Sequence, residues 1–215
     1  MKKAPLISAT NGSPRNTIFL LRHGAIKSPG SSKRYYIGQQ DLPLRDIGVA
    51  QARAWADYFA DAALDEICCS DLTRCLQTAQ IIGALCSLAP RANPELREIS
   101  LGAWEGQGFD TINTLYPQAF EQRGEFIADH RPPGGESFRD LQHRVWPIFE
   151  TLARRHQRKT LIVTHAGVIR VLLCRLLGMP LENLFAIGQS HGGLTIIDVQ
   201  PWGYCLRALN RRLPP

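Results

Sequence analysis

Apolar and polar positions follow two rhythms along this chain. Residues 17–22 (TIFLLR) form a short apolar run that ends at a glycine turn, the pattern of a buried strand. A polar loop with Gly, Ser and Pro follows over 24–44. Residues 46–60 then carry Ile47, Ala50, Ala54 and Phe59 as a rough apolar stripe, which predicts a helix. Residues 64–69 (LDEICC) predict a second strand. Asp71 stands at an N-cap position ahead of Leu72, Leu76, Ala79, Ile82 and Leu85, spaced at about 3.6 residues, so a second helix is expected there. The stretch 102–133 mixes Gly, Pro and aromatic residues and predicts short helices packed over one end of a sheet. A long amphipathic helix is predicted over 137–155, with Leu141, Val145, Ile148 and Leu152 on one face. Residues 159–164 (KTLIVT) predict a third strand, 167–177 the helix directly after it, and 193–199 and 204–209 two closing strands.

Strands alternating with helices predict a three-layer α/β/α domain with a mostly parallel central sheet. That single domain is expected over 17–215, after a flexible tail over 1–16, with a short helical cover over 102–135 lying above the site. The length of 215 residues suits one such domain with a substantial core.

Composition narrows the class only a little. A hydrophobic share of 44% and a charged share of 20% belong to a globular protein rather than a disordered one. No apolar run approaches the roughly 20 residues needed to cross a bilayer. The opening MKKAPLISATNGSPRN has an apolar patch too short for a signal-peptide core of about 7–15 residues, so a cytoplasmic protein without a membrane partner is expected. The net charge of +6 is spread thinly, in short groups such as Lys33-Arg34 and Arg154-Arg155, and no aromatics interleave it regularly. A mildly basic solvated surface is expected, with no nucleic-acid partner. The six cysteines form no CxxC pair and most sit in apolar stretches, which fits buried reduced thiols better than disulfides or a zinc site. Neither a metal nor a cofactor is expected.

Candidate chemistry gathers at strand ends. Ligands of open α/β sheets bind outside the carboxyl ends of the strands. The first strand runs into Arg22-His23-Gly24, the second into Ser70-Asp71-Leu72-Thr73-Arg74, the third into Thr164-His165-Ala166-Gly167. Two arginines and two histidines would then converge on one crevice, a coherent set of parts for phosphate chemistry. A neutral imidazole is a competent nucleophile, and a phosphohistidine splits one hard displacement into two easier ones. Arginine holds phosphoryl oxygens with a planar fork of donors. Amides at the start of the helix at Gly167 would add the helix N-terminal field. Taken singly, each histidine is more often structural and Arg74 a solvated helix residue; their joint placement at three strand-to-helix junctions is what points to a site.

The motifs that carry this chemistry resemble the histidine phosphatase superfamily, which also holds the cofactor-dependent phosphoglycerate mutases. They are LLRHG at 20–24, GQQDLPL at 38–44 followed by Gly48, and SDLTRCLQTA at 70–79. ELREISLGAWEG at 95–106, PPGGES at 132–137 and VTHAGVIR at 163–170 follow, in the family's order over nearly the whole chain after residue 16. The resemblance implies that His23 is the phosphorylated nucleophile and that Arg22, Arg74 and His165 complete the phosphate pocket. It implies Glu98 as the general acid, a carboxyl kept protonated beside a bound phosphate dianion. The alternative for Glu98 is a surface carboxylate paired with Arg97, and Glu105 is the rival acid. Gly38, Gln39 and Gly167 are expected to border the substrate.

Some positions depart from the family pattern. Ala25 and Ile26 replace the usual Glu-Thr or Glu-Ser after RHG, and Pro29 stands where many members have a phosphate-bonding asparagine. Ser28, Ser31 or Gln39 could supply the missing donor. His191, in a turn before a late strand, is expected at the rim and to affect binding rather than chemistry; the alternative is a plain solvated turn histidine. Mutases of the family usually carry a long basic insertion, whereas here only residues 107–131 fill that gap, with Arg123 and Arg131 as their arginines besides none other. Hydrolysis of a small phosphorylated metabolite is therefore expected over mutase action. The YxGQxDxPL loop with a short cover resembles α-ribazole phosphatases, which act in cobalamin assembly; broad-acting sugar phosphatases and mutases share the same motifs. A binding protein with catalysis lost is the reading from another class, and the five filled catalytic positions argue against it. Quaternary state is left open, a homodimer included.

Overall fold

Residue alternation in β1 (Asn16–Arg22) shows how the sheet is buried. Ile18 and Leu20 point into one apolar cluster and Phe19 and Leu21 into another, so both faces of the strand are covered. The computed structural model describes residues 16–27, 34–155 and 157–214. After β1 come α1 (Asp46–Ala60), β2 (Glu66–Cys69), α2 (Thr73–Cys86) and β3 (Arg91–Ala92). The cover holds α3 (Phe109–Leu115) and α4 (Pro117–Glu125), followed by α5 (Phe138–Ala153), β4 (Arg158–Thr164), α6 (Ala166–Leu177), β5 (Leu194–Gln200) and β6 (Gly203–Arg211).

The six strands order as β3-β2-β4-β1-β5-β6. The pairings from β3 through β1 are parallel, and β5 and β6 close the sheet antiparallel. This is the three-layer, mostly parallel sheet that the alternation of strands and helices predicts. Trp55 and Phe59 of α1 and Ala79 and Ile82 of α2 pack on one face; Leu141, Val145 and Phe149 of α5 and Val168 and Leu172 of α6 pack on the other. Among the described residues, no helix is long and apolar enough to cross a membrane.

Several expectations change in detail. Asn16 belongs to β1 rather than to a tail, and its side-chain amide donates to the Leu152 carbonyl at 2.9 Å; residues 1–15 lie outside the described residues. Asp71 does not cap α2. The cap is supplied from afar by Asp41, whose carboxylate accepts from the Thr73 amide and hydroxyl, both at 2.7 Å. Asp71 instead binds Arg97 through two hydrogen bonds of 2.7 and 2.5 Å. Strand β3 has two residues, too few for any periodicity to show. All six cysteines are free, but Cys205 is exposed and Cys86 half-buried. Helix α5 starts as the pattern predicts, because Ser137 and Asp140 form a reciprocal capping box.

Candidate active site

Strand register brings the chemistry together. Arg22 pairs with Thr164 across β1 and β4, and the His23 amide donates to the Thr164 carbonyl at 3.0 Å. The next residues, His23 and His165, therefore leave the sheet side by side, with ring centroids 5.2 Å apart. His191 enters from the turn before β5. That strand runs antiparallel to β1, so its beginning lies at the edge where β1 ends, and the His191 ring stands 5.4 Å from that of His23. Gly24 allows the sharp exit: a Cβ there would meet the Gly48 carbonyl oxygen at 2.4 Å.

The ring of His23 has a defined polarity. Its Nδ1 lies 2.8 Å from the Gly24 carbonyl oxygen. A carbonyl only accepts, so the proton sits on Nδ1 and Nε2 carries a free lone pair. Burial holds the imidazole well below the ordinary histidine pKa, and the neighbouring His165, Arg22, Arg74 and His191 act in the same direction. His23 is thus neutral and nucleophilic at Nε2.

The cations around it are fixed by backbone carbonyls. Arg74, 1% exposed, donates from Nη1 to the Gln40 carbonyl at 2.7 Å, from Nη2 to that of Gly38 at 2.6 Å, and from Nε to His165 Nδ1 at 3.2 Å. The last contact puts the His165 proton on Nε2. Arg22 donates to the Gln189 carbonyl at 2.6 Å and to His191 Nε2 at 2.9 Å, while its own Nε has no partner among the described residues. Burial lowers Arg22 to about 10, which leaves it charged at neutral pH. Burial and the neighbouring Arg22, Arg45 and Arg74 push His191 down to about 3. Arg22, His23, Arg74 and His191 line a cavity of about 430 Å³ in which, among the described residues, Arg22, Arg45 and Arg74 face one carboxylate, Glu98. His165 is fully buried behind Arg74, with its Nε2 3.4 Å from Cys75 Sγ. Such an excess of fixed positive charge suits a phosphate dianion.

Glu98 sits between this cavity and a second one. Its Oε1 accepts from the Ile99 amide at 2.9 Å and its Oε2 from the Gly167 amide at 3.0 Å. Gly167 is needed for that seat, because a Cβ there would lie 2.2 Å from Glu98 Oε1. Arg144 steadies the segment from behind. It donates to the carbonyls of Glu95 at 2.7 Å and Glu98 at 3.2 Å while two bonds of 2.8 Å tie it to Glu136. Arg97 turns away to Asp71, so Glu98 is not its surface partner.

Glu105, Gly38 and Gln39 have a different place from the one expected. Glu105 accepts the backbone amides of Gly38, Gln39, Gln40 and Leu101 at 2.8 to 3.3 Å and clamps the loop that holds Arg74. The amides of Gly38 and Gln39 are thereby spent, and the Gln39 side chain donates to the Glu98 carbonyl at 3.1 Å. These residues shape the pocket without lining it, and the amide of Gly167 is spent on Glu98. Ser28, Pro29 and Ser31 lie outside the described residues. The sequence reading missed Arg45, Arg144 and Arg170; only VTHAGVIR, which ends at Arg170, carried a signal for one of them.

The second cavity, about 320 Å³, lies under α3 and α4 and shares Glu98, Tyr35 and Ile37 with the first. Its walls are mainly apolar, six aromatic rings among them, and two arginines, Arg123 and Arg170, reach it. Arg123 is 7% exposed and stacked among Tyr36, Trp104 and Phe138 at 5.6 to 5.9 Å, and its Nη1 has no partner among the described residues. Burying a lone cation costs several kcal/mol, and each ring returns about 0.5–2 kcal/mol without accepting an in-plane N–H. Loop and cover are joined by backbone bonds: Tyr36 N–H to the Gln107 carbonyl at 2.9 Å, Gly106 N–H to that of Tyr36 at 2.8 Å, and Phe109 N–H to that of Arg34 at 3.0 Å.

Known proteins share both sequence and shape with this chain. "Probable phosphoglycerate mutase GpmB" of Yersinia pestis (strain Pestoides F) is 31% identical over 188 residues, 86% of either chain. The crystal structure of the alpha-ribazole phosphatase from Shigella flexneri superposes with a TM-score of 0.81 at 27% identity, covering 93% of this chain and 98% of that one. A mycobacterial glucosyl-3-phosphoglycerate phosphatase gives 0.78 at 28% identity, covering 90% and 98%. Residues 18–212 match the profile of the histidine phosphatase superfamily, branch 1, and the chain belongs to that family.

Proposed function

We propose that this protein hydrolyses the phosphate monoester of a small metabolite through a phosphohistidine at His23. The observation that carries the reading is the free Nε2 of a neutral, buried His23 facing a cavity walled by Arg22, Arg74 and Glu98. In the first step Nε2 forms a bond to phosphorus as the bond to the leaving oxygen breaks, and the Glu98 carboxyl gives that oxygen its proton. Arg22, Arg74 and His165 hold the three equatorial oxygens as charge spreads onto them. In the second step water attacks phosphorus, the Glu98 carboxylate takes the water's proton, and Nε2 is released. The fixed cations supply the charge that a divalent ion provides in metal-assisted phosphatases, so turnover is metal-independent.

The short cover favours hydrolysis over transfer, since a mutase must shield its phosphoenzyme from water. α-Ribazole 5′-phosphate in the cytoplasm is the narrower candidate: the alpha-ribazole phosphatase likeness and the aromatic walls support a nucleoside-like leaving group. The mutase reading is kept as second because of the 31% identical relative. One experiment tests the scheme. Turnover of p-nitrophenyl phosphate, α-ribazole 5′-phosphate, sugar phosphates and 3-phosphoglycerate is measured in EDTA, and the acid-labile phosphoryl group is mapped by mass spectrometry. Label on His23, lost in His23→Ala, is expected; label on His165, or activity abolished by EDTA and restored by one divalent ion, refutes the mechanism.

A further inference from the structure

Arg123 is a cation without a counter-charge. Among the described residues no carboxylate pairs with it, and the neighbouring Tyr36 phenol, raised by burial, is uncharged at neutral pH. No Asp or Glu occurs outside the described residues, so no masked side chain can supply the missing carboxylate. Its Nη1 is buried and has no partner among the described residues, its flanks are aromatic, and it borders a cavity that opens onto Glu98. Arg170 borders the same cavity; its Nε donates to the Ile187 carbonyl at 2.9 Å and its guanidinium lies 5.1 Å from the Phe185 ring. A fold that only needed to fill this space would use an apolar side chain, since a buried unpaired charge opposes folding.

We propose that this cavity is a leaving-group subsite that reads a carboxylate, with a flat apolar body between the rings and the carboxylate meeting Arg123. The reading rests on the phosphoester hydrolysis proposed above, which places the leaving group on the Glu98 side of the phosphate. A single carboxylate suffices, because one guanidinium lacking a counter-charge calls for one negative charge and its fork between the rings can meet both carboxylate oxygens. α-Ribazole 5′-phosphate, the narrower candidate above, would occupy the rings without engaging Arg123, whereas an ester whose leaving group also carries a carboxylate would use both.

Binding of two non-hydrolysable probes, benzylphosphonate and 4-carboxybenzylphosphonate, is measured by calorimetry on the wild type, Arg123→Met, Arg123→Lys and Arg170→Met. A hydrogen-bonded charge is worth roughly 10–100-fold in affinity, and the wild type is expected to prefer the carboxylated probe by that factor. Arg123→Met should erase the preference while keeping the affinity for benzylphosphonate, Arg123→Lys should restore part of it, and Arg170→Met should weaken it. No preference in the wild type overturns the proposal even if Arg123→Met fails to fold. A preference of wild-type size in Arg123→Met, or one undiminished in both Arg123→Lys and Arg170→Met, overturns it too. Hydrolysis of phenyl phosphate is followed alongside: turnover without the carboxylate preference sinks this subsite alone, and the preference without turnover sinks the hydrolase reading alone.

Discussion

Gly167→Ala is the sharpest probe of the acid. Position 167 lies in the first turn of α6, where alanine is favoured over glycine by up to about 1 kcal/mol, so thermal stability should hold or rise. The new methyl would stand 2.2 Å from Glu98 Oε1. The carboxyl group must retreat by about 1 Å, a displacement that can cost about 10²-fold when it misplaces a reacting group. Glu98→Gln sets the ceiling, since general acid catalysis is worth 10²–10⁴-fold, or roughly 3–5 kcal/mol. The loss must depend on the leaving group: an alkoxide needs the proton, a nitrophenolate does not. We expect kcat/KM of Gly167→Ala to drop by about 10² on alkyl phosphates and to change little on p-nitrophenyl phosphate, with Tm unchanged. A uniform loss across esters of graded leaving-group pKa, or no loss on any, refutes the assignment of Glu98.

Other expectations test the surroundings. Glu105→Gln can satisfy at most part of the four amides it clamps, so stability should fall by about 1–3 kcal/mol by urea unfolding, with the ratio of alkyl to aryl turnover unchanged; a steep leaving-group dependence would make Glu105 the acid. His191→Ala should raise KM more than it lowers kcat, and a kcat as low as that of His23→Ala would show otherwise. His23, His165 and His191 are held below the ordinary 6.5, burial being the first cause for each. The native state then binds fewer protons than the unfolded chain in mild acid, so this stability is fully present above 6.5 and is lost as pH falls toward the native values. The urea midpoint should drop between about pH 7 and about pH 5, less steeply in His191→Gln; a midpoint that rises on acidification contradicts the burial.

Much of this was legible along the chain. Apolar runs and 3.6-residue spacing mark where the strands and helices lie, and three strand ends point to His23, Arg74 and His165. The buried face of α1 is nevertheless Gly48, Ala52, Trp55, Ala56 and Phe59 rather than the stripe through Ile47, Ala50 and Ala54, and Leu85 of α2 is exposed. What stayed hidden depends on distance in space. Asp41 caps a helix 32 residues away, so the local rule pointed to Asp71. Glu105 looks like an available acid until the four amides that occupy it are seen. Arg144 and Arg45 have no local pattern at all, being placed by a helix face and a loop turn.

The strip of backbone from 34 to 40 faces two masters: its carbonyls at Gly38 and Gln40 grip Arg74, and its other backbone groups are laced to residues 105–109. The natural unit of exchange between relatives is therefore larger than the cover. A chimera that imports only a foreign 102–135 breaks the lacing and slackens the grip on Arg74, damaging phosphate binding along with selectivity. Transplanting 34–40 together with the cover moves the whole selectivity element as one piece and leaves the histidine end of β1 to its own neighbours.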